Sequence, residues 1–335
     1  MIGIGILGAA HIHTPNFAQR LRNRESVRVV AVWDHDGERA QRYATMFGAQ
    51  LASTPEQVLT NSQVEAVIIC AETSRHADLV LETTAARKHL FVEKPLAARA
   101  EEAFELARAI EAAGVKFQTG YFMRSHPINR FLKQEIAQGR FGRITRVRAS
   151  NGHAGALLGW FDTEWRWMAD LNDAGVGGFG DLGSHALDLM LWLLEGDFVR
   201  SATACIGNAT GRYGETDEFG EGLLDFSSGA VGTVAAGWVD LDNPAQLIVS
   251  GTRAHAAVVN GELYYKCEEI EGADGRTPWA DLPEPLPHAF ELFLDALEGQ
   301  DVPLVSPMEA ARVVSVMDAM YEGSARKSWV TPRWD

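Results

Sequence analysis

Through the first third of the chain, short apolar runs alternate with amphipathic stretches. Ile2–Leu7, Val27–Trp33, Ala66–Cys70, Leu90–Val92 and Lys116–Thr119 read as buried strands. Pro15–Arg24, Gly37–Phe47, Pro55–Leu59, Arg75–Lys88 and Arg99–Ala113 read as helices between them. Thr14 is the expected N-cap of the first helix, with Pro15 at its first position. Gly48 and Gly114 stand where two of the helices should stop. This alternation predicts an α/β domain of the Rossmann type, a doubly wound parallel sheet with helices on both faces.

After about Tyr121 the rhythm changes. A helix at Ile128–Gln138 and a strand at Ile144–Ser150 lead into a loop rich in glycine and tryptophan, from Gly152 to Gly180. Helix Ser184–Leu194 comes next. Strand patterns then follow one another at Ala202–Gly207, Gly222–Phe226, Val231–Val239, Gln246–Ser250, Ala256–Val259 and Leu263–Tyr265. Gly229 after two serines marks a hairpin turn. Proline-rich Pro278–Pro287 is expected to run over the surface, and helices near His288–Glu298 and Pro307–Ala325 close the chain. The pattern divides the protein into residues 1–120 and a second α/β domain, 121–335.

Length and composition narrow the function. A chain of 335 residues with 46% hydrophobic and 22% charged positions has ample material for two globular cores. A net charge of −15 argues against nucleic acid or an anionic membrane as partner. Cys70, Cys205 and Cys267 are too scattered for a metal knuckle or a redox pair, which suits a reducing compartment. Met1–Leu7 is broken by glycine and too short for a signal peptide or a membrane span, so a cytoplasmic protein is expected.

The turn after the first strand, Gly8-Ala9-Ala10-His11-Ile12-His13, stands where a dinucleotide fold carries Gly-x-Gly-x-x-Gly. Only Gly8 is kept: Ala10 adds a methyl group and His13 is large. The helix start that follows still offers N–H groups to an anion. Asp34 ends the second strand, at the distance expected of a carboxylate that accepts both adenosine ribose hydroxyls and repels a 2′-phosphate, favouring NAD over NADP. Its alternative role is to cap the helix that begins near Gly37. His11-x-His13 could share a metal ion, as in barrel hydrolases, but the strand–helix rhythm fails after Thr119, where a barrel needs it throughout. No resident metal is expected, and one of the two histidines is assigned to face cofactor or substrate. In Thr73-Ser74-Arg75-His76, small hydroxyl residues either cap a helix or edge the cofactor crevice.

Lys94, in Glu93-Lys94-Pro95, directly follows a buried strand, and such strand ends open onto the ligand crevice of a parallel sheet. Asp181 and His185 lie four residues apart among Gly175, Gly177, Gly178, Gly180 and Gly183, on one face if the segment is helical. A lysine, a carboxylate and an imidazole near one bound cofactor can move a proton beside a hydride. The plainer alternative makes Asp181 the cap of helix Ser184–Leu194 and His185 a core residue.

Together these motifs resemble the Gfo/Idh/MocA oxidoreductase family, named for glucose–fructose oxidoreductase and inositol dehydrogenase. The likeness rests on the first turn, Asp34, the His76 region, Glu93-Lys94-Pro95 and Gly178-x-x-Asp181-x-Gly183-x-His185-x-x-Asp188, and it spans nearly the whole chain. It implies an NAD-binding domain followed by a domain with a large, open, mixed and mainly antiparallel sheet, through which a homodimer or homotetramer assembles. The implied cofactor residues are Gly8, Ala10, His11, Ile12, Asp34, Ser74, His76, Glu93 and Lys94. Lys94, Asp181 and His185 become the implied catalytic residues. Tyr121 and Arg124 match a Tyr-x-x-Arg stretch and Trp165-Arg166 a Trp-Arg pair, which with His185 would meet the substrate. His153 and Asp162 are further polar candidates, and Trp160, Trp165 and Trp167 either stack on a sugar ring or fill a core. The implied activity is hydride transfer between NAD and a secondary hydroxyl or ketone of a sugar or cyclitol. Alternatives are a non-catalytic dinucleotide sensor, a metal-dependent hydrolase using His11 and His13, and a C–C or C–O cleaving enzyme that uses NAD transiently.

Overall fold

The computed structural model describes all 335 residues. In chain order the elements are β1 (Ile2–Ala9), α1 (Thr14–Arg22), β2 (Val27–Trp33), α2 (Gly37–Phe47), β3 (Gln50–Leu51), α3 (Pro55–Leu59), β4 (Ala66–Cys70), α4 (His76–Ala85), β5 (His89–Val92), α5 (Ala100–Ala113) and β6 (Phe117–Thr119). There follow α6 (Pro127–Ala137), β7 (Ile144–Gly152), α7 (Leu171–Ala174), α8 (Gly178–Leu193), β8 (Val199–Gly207), β9 (Phe219–Phe226), β10 (Val231–Gly237), β11 (Ala245–Gly251), β12 (Ala254–Val259), β13 (Glu262–Cys267), β14 (Asp274–Pro278), α9 (Ala289–Leu297) and α10 (Pro307–Arg326).

The chain forms two compact units. The first comprises Met1–Tyr121, Phe161–Gly175 and Pro287–Val314. Residues 161–175 and 287–314 of this unit lie outside the expected 1–120 segment. The reason for the return of 287–314 lies in α9. Its apolar residues Phe290, Phe293 and Leu294 recur at helical spacing and join the core of the first sheet. Phe290 stacks on Phe17 with ring centroids 4.4 Å apart and meets the edge of Phe91 at 5.0 Å. Arg24 fastens the same helix through Glu291 at 3.0 Å and Asp295 at 2.6 Å.

The sheet of this unit runs β3-β2-β1-β4-β5-β6, all parallel. The strand order reverses between β1 and β4, so the chain leaves these neighbours in opposite directions and opens a crevice at their carboxyl ends. β4, Ala-Val-Ile-Ile-Cys, is buried at every position, as a strand covered on both faces must be. Gly48 ends α2 in the left-handed region at φ +60°.

The second unit comprises Phe122–Trp160, Val176–Leu286 and Ser315–Asp335. Its eight-stranded sheet runs β14-β13-β12-β11-β7-β10-β9-β8. Only β7 and β10 pair in parallel, so the sheet is mixed and mainly antiparallel, as expected. Along β9 inward residues alternate with Phe219, Glu221 and Leu223 on the outer face, while α8 packs on the inner one.

Three local expectations are corrected, and one strand was not foreseen. Thr14 is the first residue of α1 rather than its cap; His13 holds the cap position and makes no side-chain cap bond. The helix expected at Arg75–Lys88 is the shorter α4, preceded by a 3-10 turn at Thr73–Arg75. The glycine-rich region is not loop throughout, because α7 and the first residues of α8 lie within it. β14 had no sequence signal, since Asp-Gly-Arg-Thr-Pro carries no apolar alternation and pairs at the sheet's edge.

Candidate functional site

In the first unit the candidate residues gather at the carboxyl ends of β1, β4 and β5. Gly8 sits at φ +84°, and a Cβ there would lie 2.5 Å from that of Ala71, so the first fingerprint position admits only glycine. Ala10 keeps a negative φ and is buried, so its methyl group is tolerated without strain. Its carbonyl accepts the indole N–H of Trp167 at 3.0 Å, which makes Trp167 a buried support of this turn. His11 is fixed through its own N–H to the Cys70 carbonyl, 2.9 Å away. Ile12 lies in the turn between the histidines, and α1 begins at Thr14 with no acidic residue in its first turn. The turn and the uncapped helix start fit a pyrophosphate group.

Asp34 is buried and its carboxylate is fully engaged. One oxygen accepts the Ala9 N–H at 2.7 Å and Arg39 Nε at 2.7 Å; the other accepts the Asp36 N–H at 2.9 Å and Arg39 Nη2 at 2.7 Å. Asp36, not Asp34, caps α2. Arg39 also donates to Glu72 at 3.0 Å. Burial opposes the Arg39 charge, but its bonds to Asp34 and the field of Glu72 raise its pKa above the ordinary value. Nothing in the sequence pattern marked Arg39 as the partner of this carboxylate or Glu72 as the second acceptor of Arg39.

Glu93 continues β5 by donating its N–H to the Ile69 carbonyl at 2.9 Å, and Lys94 beside it is only 3% exposed. Lys94 is thus a buried lysine at a strand end rather than a solvated one. His76 is 1% exposed, its ring nitrogens 3.0 Å from the Pro95 carbonyl and 3.3 Å from that of Ala71. Burial lowers its pKa. It braces the Lys94–Pro95 turn from behind. The Ser74 hydroxyl donates to Asp173 at 3.2 Å on the surface. Tyr121 is buried at the end of the sheet, whereas Trp165 and Arg166 open the 3-10 turn before α7 with Asp162 upstream.

The two fingerprint histidines meet Glu93. His13 Nδ1 lies 2.6 Å and His11 Nδ1 3.7 Å from the same carboxylate oxygen. His11, His13 and Glu93 each place a donor atom within 4.8 Å of the others. The third member of this cluster, eighty positions downstream of His13, could not be read from the His-x-His spacing.

In the second unit Asp181 and His185 lie one turn apart within α8, so Asp181 is not the helix cap. The Trp238 indole donates to Asp181 Oδ2 at 2.9 Å. His185 is buried with the Phe122 ring 5.1 Å from its own. Arg124 reaches Asp188 in a two-pronged pair at 3.0 and 2.6 Å, which fixes the residues before α6 to the next turn of the same helix. His153 packs against Trp160, ring centroids 4.7 Å apart.

The start of α8 is held by residues the sequence reading missed. Asp217 accepts the Phe179 N–H at 2.9 Å, the Gly177 N–H at 3.2 Å and the Tyr321 hydroxyl at 2.9 Å. The Tyr321 oxygen in turn accepts the Gly180 N–H at 3.0 Å. Burial raises the Asp217 pKa, partly offset by these bonds. Gly177 and Gly178 allow the approach, since a Cβ on either would fall within 2.6 Å of Asp217 or Glu218 atoms.

Comparison with known proteins agrees with this layout. Residues 1–121 match the sequence model of an oxidoreductase family with an NAD-binding Rossmann fold, and residues 129–257 match the GFO/IDH/MocA C-terminal domain. Glucose-6-phosphate 3-dehydrogenase of Bacillus subtilis (strain 168) is 27% identical over 197 residues, 58% of this chain and 55% of its own. The scyllo-inositol 2-dehydrogenase (NAD(+)) of the same organism is 28% identical over 240 residues, 70% of this chain and 66% of its own. The match thus spans between half and two thirds of these curated relatives. Among solved structures, levoglucosan dehydrogenase in complex with NADH and levoglucosan superposes with a TM-score of 0.82 at 19% identity, covering 99% of both chains. The WlbA dehydrogenase from Bordetella pertussis, in complex with NADH and UDP-GlcNAcA, gives 0.80 at 20% identity over 100% of this chain and 99% of that one. The two family matches, one for each half and in the family's order, show that this chain belongs to the Gfo/Idh/MocA oxidoreductase family.

Proposed function

We propose that this protein is an NAD-dependent dehydrogenase that interconverts a secondary hydroxyl and a ketone on a sugar or cyclitol. The observation that carries the reading is the buried Lys94 at the end of β5, beside the β1/β4 switch point of the parallel sheet. The substrate class comes from the curated relatives, named as dehydrogenases of a sugar phosphate and of an inositol.

NAD would be held by the Gly8–His13 turn, the α1 start, Asp34, Ser74, His76, Glu93 and Lys94. When bound, it supplies the hydride acceptor. The protein's own task is the proton. Oxidation takes a hydride from carbon and a proton from the attached oxygen, and His185 is assigned as the base because a neutral imidazole nitrogen can accept that proton. Asp181, oriented by the Trp238 indole, steadies the imidazole or a neighbouring hydroxyl. Lys94 donates a hydrogen bond to the reacting oxygen and stabilises its alkoxide character. Tyr121, Arg124, Trp165 and Arg166 are assigned to the substrate, although Arg124 already binds Asp188 and so acts through that pair. Asp34 favours NAD over NADP. Its four chain donors mean that the ribose hydroxyls gain the carboxylate only when Arg39 turns toward Glu72. The outer face of the eight-stranded sheet, with Phe219, Leu223 and Val231 exposed, is assigned to a homodimer or homotetramer contact.

A panel of polyols, sugars and sugar phosphates mixed with NAD, read at the reduced-nicotinamide absorbance, tests the activity. At least one should be oxidised by the wild type and hardly at all by Lys94→Ala, with NAD affinity changed far less than turnover. Equal rates in both proteins would remove the lysine from the chemistry. Binding of NAD without turnover of any panel member would favour a dinucleotide sensor.

A further inference from the structure

The paired histidines of the first turn remain without a use in the proton chemistry assigned above, and the geometry around them is that of a ligand set. We propose that His11, His13 and Glu93 form a site for one borderline divalent cation of the zinc or cobalt type.

Two of the three donors are held in place before any ion arrives. The His11 N–H is bonded to the Cys70 carbonyl and the Glu93 N–H to the Ile69 carbonyl, each at 2.9 Å, so adjacent residues at the end of β4 position both. The carbonyl before His11 is pinned by the Trp167 indole at 3.0 Å. Glu93 is 0% exposed, and its second carboxylate oxygen, which has no hydrogen-bond partner, lies so close to Gly120 that a Cβ there would come within 2.3 Å. His13 is the movable member, with its side chain 39% exposed at the mouth of the turn.

The spacing suits the ion. Tetrahedral zinc holds nitrogen and oxygen donors about 2.0–2.2 Å from the metal, which sets donor pairs about 3.4 Å apart. His11 Nδ1 and the Glu93 oxygen are already 3.7 Å apart. The His13 Nδ1 to Glu93 distance of 2.6 Å is a hydrogen bond, and it must open by less than about 1 Å as the ion takes the place of the shared proton. His11 Nδ1 accepts the His13 N–H at 3.2 Å, so its proton resides on Nε2, and the Nδ1 lone pair must exchange that N–H for the ion when His13 moves. Two imidazoles and one carboxylate select zinc, cobalt or copper over magnesium or calcium, which need more oxygen donors. Three protein ligands leave a fourth position for water or another ligand.

Cobalt(II) alone provides the probe. The full-length protein, stripped with a chelator and free of dinucleotide, is titrated with Co²⁺ and followed by its visible d–d absorption. The expected result is a saturable band at one cobalt per chain. His13→Ala, at the half-exposed ligand, should weaken binding by at least the 10–100-fold that even an outer-shell partner is worth. Glu93→Gln should weaken it likewise, and His255→Ala, an exposed position on β12, should leave it unchanged. Circular dichroism confirms that each variant is folded, and His13→Gln serves as a second probe of that ligand. A wild type without a saturable band, or a band that survives in folded His13→Ala and His13→Gln, would overturn the site.

Discussion

Replacing Asp217 by alanine tests whether the helix carrying Asp181 and His185 is held at its start by one buried carboxylate. Three donors now converge on it: the N–H groups of Gly177 and Phe179 and the Tyr321 hydroxyl. In the variant, Gly177 still has the Tyr321 oxygen at 3.3 Å, so two groups are orphaned, the Phe179 N–H and the Tyr321 O–H. Each buried donor left without an acceptor costs about 1–3 kcal/mol. Desolvation of the carboxylate, visible in its raised pKa, subtracts from what it contributes. The expected loss is therefore about 2–4 kcal/mol. Asp217→Asn keeps one acceptor oxygen and should lose about half as much. Urea unfolding followed by tryptophan fluorescence measures both: the midpoint should fall with little change in slope. Turnover should fall as well, because a displacement of about 1 Å in a reacting group can cost about 100-fold in rate. A stability loss below about 0.5 kcal/mol for Asp217→Ala, with unchanged rates, would refute the claim that this carboxylate positions the helix.

Asp34→Ala should weaken NAD binding by roughly tenfold or more, the value of a charge-assisted hydrogen bond, and relax discrimination against NADP. Fluorescence titration with each dinucleotide reads both effects, and an unchanged ratio would contradict the ribose assignment. His288 caps α9 with its ring nitrogen, 3.1 Å from the Phe290 N–H, and burial pushes its pKa down from the ordinary 6.5 to about 4. Between these values the unfolded chain binds a proton that the native protein refuses. Stability is therefore present above about pH 6.5 and lost as pH falls toward about 4, by about 2 kcal/mol once partial exposure is allowed for. His288→Asn, which can still cap, should flatten that slope in thermal melts taken across this pH range, and an unaltered slope would assign it to other groups.

Much of the architecture was legible because it is local. A continuously apolar β4 announces that both its faces are covered, and Gly48 ends its helix by a conformation only glycine adopts readily. The start of α8 was misplaced because Gly-Phe-Gly-Asp-Leu-Gly is poor in helix formers, and its stability comes from Asp217 and Tyr321, distant in sequence. α9 looked like part of the second domain because sequence order gives no hint that Phe290 stacks on Phe17. The candidate site shows the same division. Strand ends placed Lys94 and Asp34, since a strand's position in a parallel sheet is readable from its apolar run. The partners that decide what those groups can do, Arg39 for Asp34 and Glu93 for His13, are set by tertiary approach and leave no periodic trace.

Deuterium transfer tests the central claim most directly. A substrate identified from the polyol panel, carrying deuterium on the carbon that bears the reacting hydroxyl, is incubated with the protein and NAD, and the nicotinamide is analysed by mass spectrometry. The account predicts one deuterium per reduced nicotinamide, with the product a ketone, and loss of that transfer in Lys94→Ala. Reduced nicotinamide without deuterium, or the same transfer in the lysine variant, would contradict it.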